Sequence, residues 1–249
     1  MQPGERTRSS ESPAAAIGES IADAIPHHVA IIMDGNRRWA RAHGVSEAEG
    51  HSAGVQAVRR VVVRAVERGV GVLSLYAFSR ENWGRAPEEV RALFDLLRSA
   101  ILSETDELAS QGVRVQLLGR LDELPDETRA SILHGLDATR EGDRLLLNVA
   151  FNYSGRSEIV DAVRRLADER LPAEAIDEAA LAGRLYTAGI PDPDLLLRTG
   201  GEQRLSNFLI WQAAYAELCF TDVLWPDFGA AQFDAALAEY ARRTRRFGR

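Results

Sequence analysis

The 249-residue sequence has little cysteine, no excess of positive charge and no long apolar run. The single cysteine, Cys219, excludes an internal disulfide framework and a multi-cysteine zinc site, and its apolar neighbours favour a buried thiol. The formal net charge of -7 argues against a nucleic-acid-binding domain, so we expect no nucleic-acid partner. No apolar stretch approaches the ~20 residues that a membrane-spanning helix needs.

The first residues show no pattern of a folded or targeting segment. Residues 1–25 are small, polar and aperiodic, which predicts a disordered lead-in. They also lack the charged-then-apolar order of a secretory signal. We therefore expect a cytoplasmic protein with a single domain over residues 26–249, and the hydrophobic fraction of 45% is ample for its core.

Apolar runs and helical patterns alternate along the chain. Short β-rich runs predict six strands, at residues 28–33, 70–78, 113–119, 144–153, 193–200 and within 214–222. Apolar residues at helical spacing predict helices between them, including one from about Ser46 to Gly69 and one over 87–111. The alternation indicates an α/β fold of three layers, with a six-stranded, mostly parallel central sheet flanked by helices.

Three segments that follow predicted strands have unusual chemistry: "MDGNRRW", "YAFSRENWGR" and "RTGGEQRLSN". We expect them to be loops at one edge of the sheet, because sites in such sheets form at the carboxyl ends of strands. Arginine forks, hydroxyls and glycine backbone suit phosphate oxygens, and this many arginines suits two diphosphates better than one phosphate. The arginines are Arg37, Arg38, Arg80, Arg85, Arg198 and Arg204. Asp34 and Glu217 offer hard oxygen ligands for Mg²⁺.

Other phosphate and nucleophile motifs are absent from the sequence. It contains no GxxxxGK[ST] loop, no G-x-G-x-x-G after the first strand and no G-x-S-x-G elbow. The predicted helices at 55–68 and 87–111 instead have broad apolar faces beside the charged segments. A phosphate site that opens onto an apolar channel suggests an amphiphile such as an isoprenyl diphosphate.

The motifs "HVAIIMDGNRRWA", "GHSAG", "SLYAFSRENWGR" and "DLLLRTGGEQRLSNFLIWQAAYAELCFTDVLWPDF" closely resemble those of the cis-prenyltransferases, the family of undecaprenyl diphosphate synthase. The similarity runs from about His27 to the C-terminus. The absence of a DDxxD sequence agrees, since the trans-prenyl synthases use that motif for Mg²⁺. The resemblance implies a hydrophobic tunnel, and a Mg²⁺-dependent condensation of isopentenyl diphosphate with an allylic diphosphate to a longer (Z)-polyprenyl diphosphate.

The resemblance also implies roles for individual residues. Asp34 is the expected catalytic acid and, with Glu217, a metal ligand, while Asn82 is the suggested proton-handling group. The implied substrate-binding residues are Gly35, Asn36, Arg37, Arg38, Trp39, His51, Ser79, Arg80, Glu81, Trp83, Arg85, Arg198, Arg204, Leu205, Ser206 and Arg246. Arg246 belongs to a C-terminal Arg-x-Gly ending, which in the family reaches the diphosphate site across a homodimer interface.

Two departures from the family pattern affect these expectations. Glu47 stands where many relatives have an arginine, which puts one diphosphate contact in doubt, and Gln203 stands where many have a histidine, whose metal role does not carry over. An undecaprenyl-type, long product is predicted, as for a lipid carrier. The candidates for closing the tunnel are Phe94, Leu97, Ile101 and Leu145.

Several alternatives remain open on the sequence. The chain could be a short-chain synthase, a non-catalytic partner subunit, or a phosphate-ester hydrolase that uses Asp34 and Mg²⁺. Asp34 could also simply cap a helix, and His51 could be an ordinary packed histidine. Trp211 and Trp225 are interpreted as core anchors. The arginine-rich residues 242–249 could be a solvated helix end, or could contact a membrane peripherally during product release.

Overall fold

The computed structural model describes residues 25–243, and at its centre lies a six-stranded sheet. The strands are β1 (His28–Ile32), β2 (Val72–Ser79), β3 (Val113–Leu118), β4 (Leu145–Tyr153), β5 (Leu195–Arg198) and β6 (Glu217–Phe220). Their order is β3-β4-β2-β1-β5-β6, and every neighbouring pair is parallel. The predicted α/β class and the six strands are confirmed, and the sheet is parallel throughout rather than mostly. The predicted lead-in, residues 1–25, lies outside the described residues except for Ile25.

Helices cover both faces of the sheet. The α-helices of the described residues are α1 (Asn36–His43), α2 (Glu47–Arg68), α3 (Pro87–Ser110), α4 (Asp126–Ala138), α5 (Gly155–Asp168), α6 (Glu178–Ala182) and α7 (Ala230–Arg242). Short 3₁₀ helices lie at Arg80–Gly84, Ala173–Ala175, Gln212–Tyr215 and Trp225–Asp227. Helices α2 and α7 pack on one face through residues such as Val61 and Leu237. Phe208 and Leu209 pack against Ala30, Ile32 and Leu196 in a separate core cluster.

The segment after β1 differs from its prediction. It was expected to be a loop that reaches a helix near Ser46, but α1 begins at Asn36, four residues after the strand ends. Gly35 makes this turn possible, since its φ of 118° lies in a region that residues with a side chain rarely adopt. The helix is short and mostly polar, so it has no apolar periodicity from which it could be predicted.

Helix α2 follows its prediction closely. Ser46 caps it, and Glu49 closes a capping box with the Ser46 hydroxyl and backbone. Gly69 ends the helix in a left-handed conformation, with φ of 74°. No helix within residues 25–243 is long and apolar enough to cross a membrane.

A buried polar network crosses the sheet at the start of β1. His28 Nε2 lies 2.7 Å from Ser74 Oγ, and Asn148 donates from Nδ2 to the same hydroxyl at 2.9 Å. The other ring nitrogen of His28 lies 2.7 Å from the carbonyl oxygen of Pro191. Burial lowers the pKa of His28 from 6.5 to about 4, so the folded protein holds this ring neutral.

The neutral ring of His28 predicts an acid sensitivity of the fold. The lowered pKa contributes stability that is complete above the unfolded pKa of 6.5 and is lost as the pH falls towards 4. The shift corresponds to about 3 kcal/mol of unfolding free energy. Urea denaturation at neutral pH and near pH 4 should show a smaller pH-dependent loss for His28→Gln than for the unmodified protein. Equal losses in both proteins would contradict the assignment.

Candidate active site

The centre of the site lies where β1 and β5 end side by side. Strands β2, β4 and β3 lie on one side of β1, and β5 and β6 lie on the other. The boundary between β1 and β5 is therefore the point at which the strand order reverses, where such sheets form their sites. Arg198, at the end of β5, donates from Nη2 to Asp34 Oδ2 at 2.9 Å. Thr199 fixes the Asp34 backbone, because its hydroxyl accepts from the Asp34 N–H at 2.9 Å and donates to the carbonyl oxygen at 2.7 Å.

Asp34 does not cap the helix that follows it. Gly35 occupies the N-cap position, and no side chain caps the helix there. The Asp34 carboxylate instead lies between two guanidinium groups, with Oδ1 at 3.1 Å from Arg38 Nη2 and Oδ2 against Arg198. The helix-cap interpretation is therefore wrong, and the carboxylate faces the site.

The backbone beside Asp34 is shaped by Gly200. Its φ of 82° is left-handed, and a Cβ there would lie 2.5 Å from Arg38 Nη2 and 3.0 Å from the Asp34 carbonyl oxygen. The close approach lets Arg38 Nη1 donate to the Gly200 carbonyl oxygen. Any larger residue at this position would displace Arg38 from the carboxylate.

A polar cavity of about 370 Å³ opens in front of these residues. It is lined by Met33, Asp34, Gly35, Asn36, Arg37, Arg38, Arg41, His51 and Arg85. The first turn of α1 forms one wall, so unpaired backbone N–H groups and the positive end of the helix add to the side-chain charges. Four arginines and a helix N-terminus make this cavity suitable for a diphosphate. Arg41 was missed from the sequence, and only the α1 spacing from Arg37 and Arg38 would have indicated it.

An apolar cavity of about 230 Å³ adjoins the polar one, and the two share Met33, Asn36 and His51. Its walls are α2, α3, α4 and the sheet. Leu97 and Ile101, two of the candidates for closing a tunnel, line it. Phe94 instead packs in an aromatic cluster with Phe78 and Phe151, and Leu145 is buried in the main core. The apolar lining residues include Val55, Val58, Val62, Leu75, Leu93, Leu97, Ile101, Leu108, Leu136, Leu147 and Val149.

Polar atoms without partners lie at the junction of the two cavities. Asn36 Oδ1 and His51 Nε2 are buried and make no hydrogen bond to the described residues. Asn36 Nδ2 lies 3.4 Å from His51 Nδ1, which leaves the other ring nitrogen as the proton donor of a neutral imidazole. The pKa of His51 is lowered mainly by burial and, to a smaller extent, by repulsion from Arg85. The His51 Nε2–H can donate to an oxygen atom of a ligand, whereas Asn36 Oδ1 is an acceptor and needs a donor such as water.

Gly54 explains why helices α1 and α2 approach so closely at this junction. A Cβ on Gly54 would lie 2.7 Å from Asn36 Oδ1, and one on Gly50 would lie 2.6 Å from the Asn36 carbonyl oxygen. Trp225, confirmed as a core anchor at 1% exposure, donates from its indole nitrogen to the Gly54 carbonyl oxygen at 2.9 Å. The glycines of "GHSAG" thus hold Asn36 and His51 together.

The segment after β2 is a 3₁₀ helix rather than a loop. Asn82 Oδ1 accepts from the Ser79 N–H at 3.0 Å, which fixes the turn. Arg80 pairs with Glu123 and Trp83 donates to Asn152 Oδ1 at 2.9 Å, so neither side chain lines either cavity. Arg85 lines the polar cavity beside its ion-pair partner Glu89, at 2.9 Å.

The segment after β5 wraps around Arg198. Arg198 Nη1 donates to the Arg204 carbonyl oxygen at 2.6 Å and to Ser206 Oγ at 2.7 Å. Its Nε is buried and has no partner among the described residues. Arg204 is exposed and pairs with Glu202, and Leu205 packs against the core below. One buried guanidinium therefore organises this whole segment.

Other residues expected at the site lie at its margin. Trp39 stacks on His43 at 4.1 Å between ring centroids and donates to Asp227 Oδ1 at 2.7 Å. Arg37 Nε donates to Glu47 Oε1 at 2.9 Å, so the residue that departs from the family pattern holds one of the cavity arginines. Gln203 is exposed.

The structure does not bring Glu217 to Asp34 within the chain. Glu217 begins β6 beside Leu195, three residues before the strand end at which Arg198 lies, which is about 10 Å along the sheet. Its carboxylate accepts from Arg243 Nη1 at 3.0 Å. Arg246 lies outside the described residues.

The protein has an α/β fold in which an arginine-lined polar cavity at the strand ends adjoins an apolar cavity. This arrangement suits amphiphilic diphosphates. A family model described as putative undecaprenyl diphosphate synthase matches residues 32–248. An isoprenyl transferase of Heliobacterium mobile is 48% identical over 230 residues, which cover 90% of this chain and 88% of that protein. A ditrans,polycis-undecaprenyl-diphosphate synthase ((2E,6E)-farnesyl-diphosphate specific) of Lactiplantibacillus plantarum is 46% identical over 231 residues, which cover 90% of this chain and 89% of that protein.

A solved structure shares the fold. The crystal structure of lavandulyl diphosphate synthase from Lavandula x intermedia, in complex with dimethylallyl diphosphate, matches with a TM-score of 0.87 and 36% identity. The match covers 90% of this chain and 99% of that one. The chain is a prenyltransferase. It belongs to the undecaprenyl diphosphate synthase family, the cis-prenyltransferases.

Proposed function

We propose that the protein is a Mg²⁺-dependent cis-prenyltransferase that condenses isopentenyl diphosphate with an allylic diphosphate to a longer (Z)-polyprenyl diphosphate. The observation that carries the proposal is the shared wall between the two cavities. The arginine-lined cavity suits the diphosphate of the starter, and the apolar cavity beyond Asn36 and His51 suits its hydrocarbon chain. A phosphate-ester hydrolase would not need the apolar cavity.

The residues near Asp34 fit a Mg²⁺ ion that binds with the substrate. No group of three or more His, Cys, Asp or Glu side chains in the part of the chain that the structure describes could hold a metal. Mg²⁺ commonly takes one or two carboxylates and completes its shell with phosphate oxygens and water. Asp34 would supply the carboxylate, and the ion would supply positive charge to the departing diphosphate.

The chain's own residues account for the remaining steps. In the reaction, a C–C bond forms between the two substrates, the allylic C–O bond breaks, and a proton leaves the new unit. Arg38 and the α1 N-terminus would stabilise the leaving diphosphate, while Arg198, Arg204 and Ser206 would hold the isopentenyl diphosphate. Asn82 is tied to the Ser79 backbone, and an amide is a poor base, so its part in proton removal is to orient the reacting end.

The length of the product is a finer proposal. Similarity to undecaprenyl diphosphate synthases favours a long product, with Leu97 and Ile101 placed to limit the cavity. The close structural likeness to lavandulyl diphosphate synthase keeps a short-chain product as the second candidate. A homodimer is also proposed, since β6 is an edge strand, and Tyr215 just before it and Leu218 within it are exposed at 75% and 38%.

The function is tested by product sizing. Purified protein is incubated with Mg²⁺, radiolabelled isopentenyl diphosphate and, separately, dimethylallyl, geranyl or farnesyl diphosphate, and the extracted products are sized. A ladder that ends at one dominant length is expected, and its end reports the depth of the apolar cavity. Release of inorganic diphosphate without chain growth would support a hydrolase. No incorporation with any starter, from folded protein, would favour a non-catalytic subunit.

A further inference from the structure

The segment after β5, proposed above to hold isopentenyl diphosphate, has an unusual backbone. Three of its non-glycine residues have positive φ, namely Ser206 at 47°, Asn207 at 64° and Leu209 at 44°. Residues with a side chain adopt this left-handed region at a cost, although asparagine tolerates it better than most. A strained stretch of this kind persists only where its surroundings hold it.

Asn207 makes the contacts that hold this stretch. Its Nδ2 donates to Ser154 Oγ at 2.7 Å and to Glu81 Oε1 at 2.9 Å. Its Oδ1 accepts from the Arg156 N–H at 2.9 Å, and its carbonyl oxygen accepts from the Gly155 N–H at 2.9 Å. One residue therefore joins the segment after β5 to the first turn of α5 and to the 3₁₀ helix after β2.

Gly155 is required for this docking. A Cβ at Gly155 would lie 2.8 Å from the Asn207 carbonyl oxygen and 2.9 Å from Ile210 Cγ1. The Asn207 oxygen is a backbone atom, so the segment itself would have to move. A substitution at Gly155 can thus disturb the segment while Asn207 and every cavity-lining arginine stay unchanged.

The docking contact lies beside residues that bind Arg198. Ser206 Oγ, the neighbour of Asn207, accepts from Arg198 Nη1, and Arg198 in turn holds Asp34. Asn207 does not line either cavity. We propose that Asn207, docked on Gly155 and linked to Glu81, is a positioning residue that fixes the isopentenyl diphosphate site relative to the segment that carries Asn82.

The proposal rests on the proposed function and predicts an effect on one substrate only. Asn207→Gly removes the side-chain hydrogen bonds but tolerates the positive φ, and Gly155→Ala displaces the same segment from the other side. Each variant should raise the KM for isopentenyl diphosphate about tenfold, the size expected for lost hydrogen bonds, with the KM for the allylic starter unchanged. The double variant should be little worse than either single variant, because both disrupt the same docking of this segment on α5.

A rescue experiment separates positioning from a general structural role. Asn207→Asp places a second carboxylate beside Glu81 and should also raise the KM for isopentenyl diphosphate. Adding Glu81→Gln reverses the hydrogen bond, since the new amide donates to the new carboxylate, and should recover most of the lost affinity. Thermal unfolding of all variants is measured in parallel, and the KM differences should not follow the melting temperatures.

The outcomes distinguish this proposal from the proposed function. Turnover by the unmodified protein tests the function by itself. If nothing condenses, calorimetric titration with isopentenyl diphosphate and Mg²⁺ takes the place of KM, and weaker binding to Asn207→Gly and Gly155→Ala is still expected. The positioning role is overturned if both variants keep the unmodified KM or binding constant. It is also overturned if both substrates weaken equally, or if Glu81→Gln fails to recover the Asn207→Asp defect.

Discussion

Asp34→Ala is expected to abolish condensation, lowering the turnover number by about 10³-fold. Among the described residues that line the polar cavity, Asp34 has the only carboxylate, so its loss would remove the proposed ligand for Mg²⁺. The departing diphosphate would then lack the charge that stabilises it in the transition state. Steady-state assays with labelled isopentenyl diphosphate at saturating starter measure the effect.

Two further variants test whether charge or shape is responsible. Asp34→Asn keeps the volume of the side chain and a hydrogen bond to Arg198, yet it should lose nearly as much activity as alanine. Asp95→Asn, a change to a carboxylate that is 65% exposed and pairs with Arg98, should leave turnover unchanged. Full activity of Asp34→Asn with unaltered Mg²⁺ dependence would show that the ion is not held at Asp34.

Local patterns made most of the fold predictable. The buried parallel strands are apolar runs, so β1 and β4 stand within one residue of their predicted bounds. Ser46, Glu49 and Gly69 define α2 through contacts within a few residues, which a sequence displays directly. Helix α1 could not be predicted in the same way, because its start depends on the turn at Gly35 rather than on apolar periodicity.

The site was predictable at strand ends and not beyond them. Arg198 ends β5 and Asp34 lies two residues beyond the end of β1, and the parallel pairing of Ile32 with Arg198 places the two together. Partners chosen by long-range packing carry no local signal. Examples are Arg37, which pairs with Glu47, and Asn207, whose role depends on the approach of α5 at Gly155.

Arg198→Lys is the second change with a large expected effect, although it conserves the charge. Arg198 is 5% exposed at its side chain, and two of its nitrogens serve three acceptors, on Asp34, Arg204 and Ser206. A single ammonium group cannot reproduce this planar fork. The substitution also removes the buried Nε–H of Arg198, which we expect to donate to a phosphate oxygen. The value of kcat/KM for isopentenyl diphosphate should fall about 100-fold.

Arg204→Lys provides the matched comparison for this loss. Arg204 belongs to the same segment, but its side chain is 60% exposed and its ion pair with Glu202 is screened by water. A lysine there can still reach a diphosphate as a point charge, so kcat/KM should fall only a few-fold. If Arg204→Lys costs more than Arg198→Lys, the diphosphate is held by the exposed arginine, and the buried guanidinium serves mainly to shape the segment around Asp34.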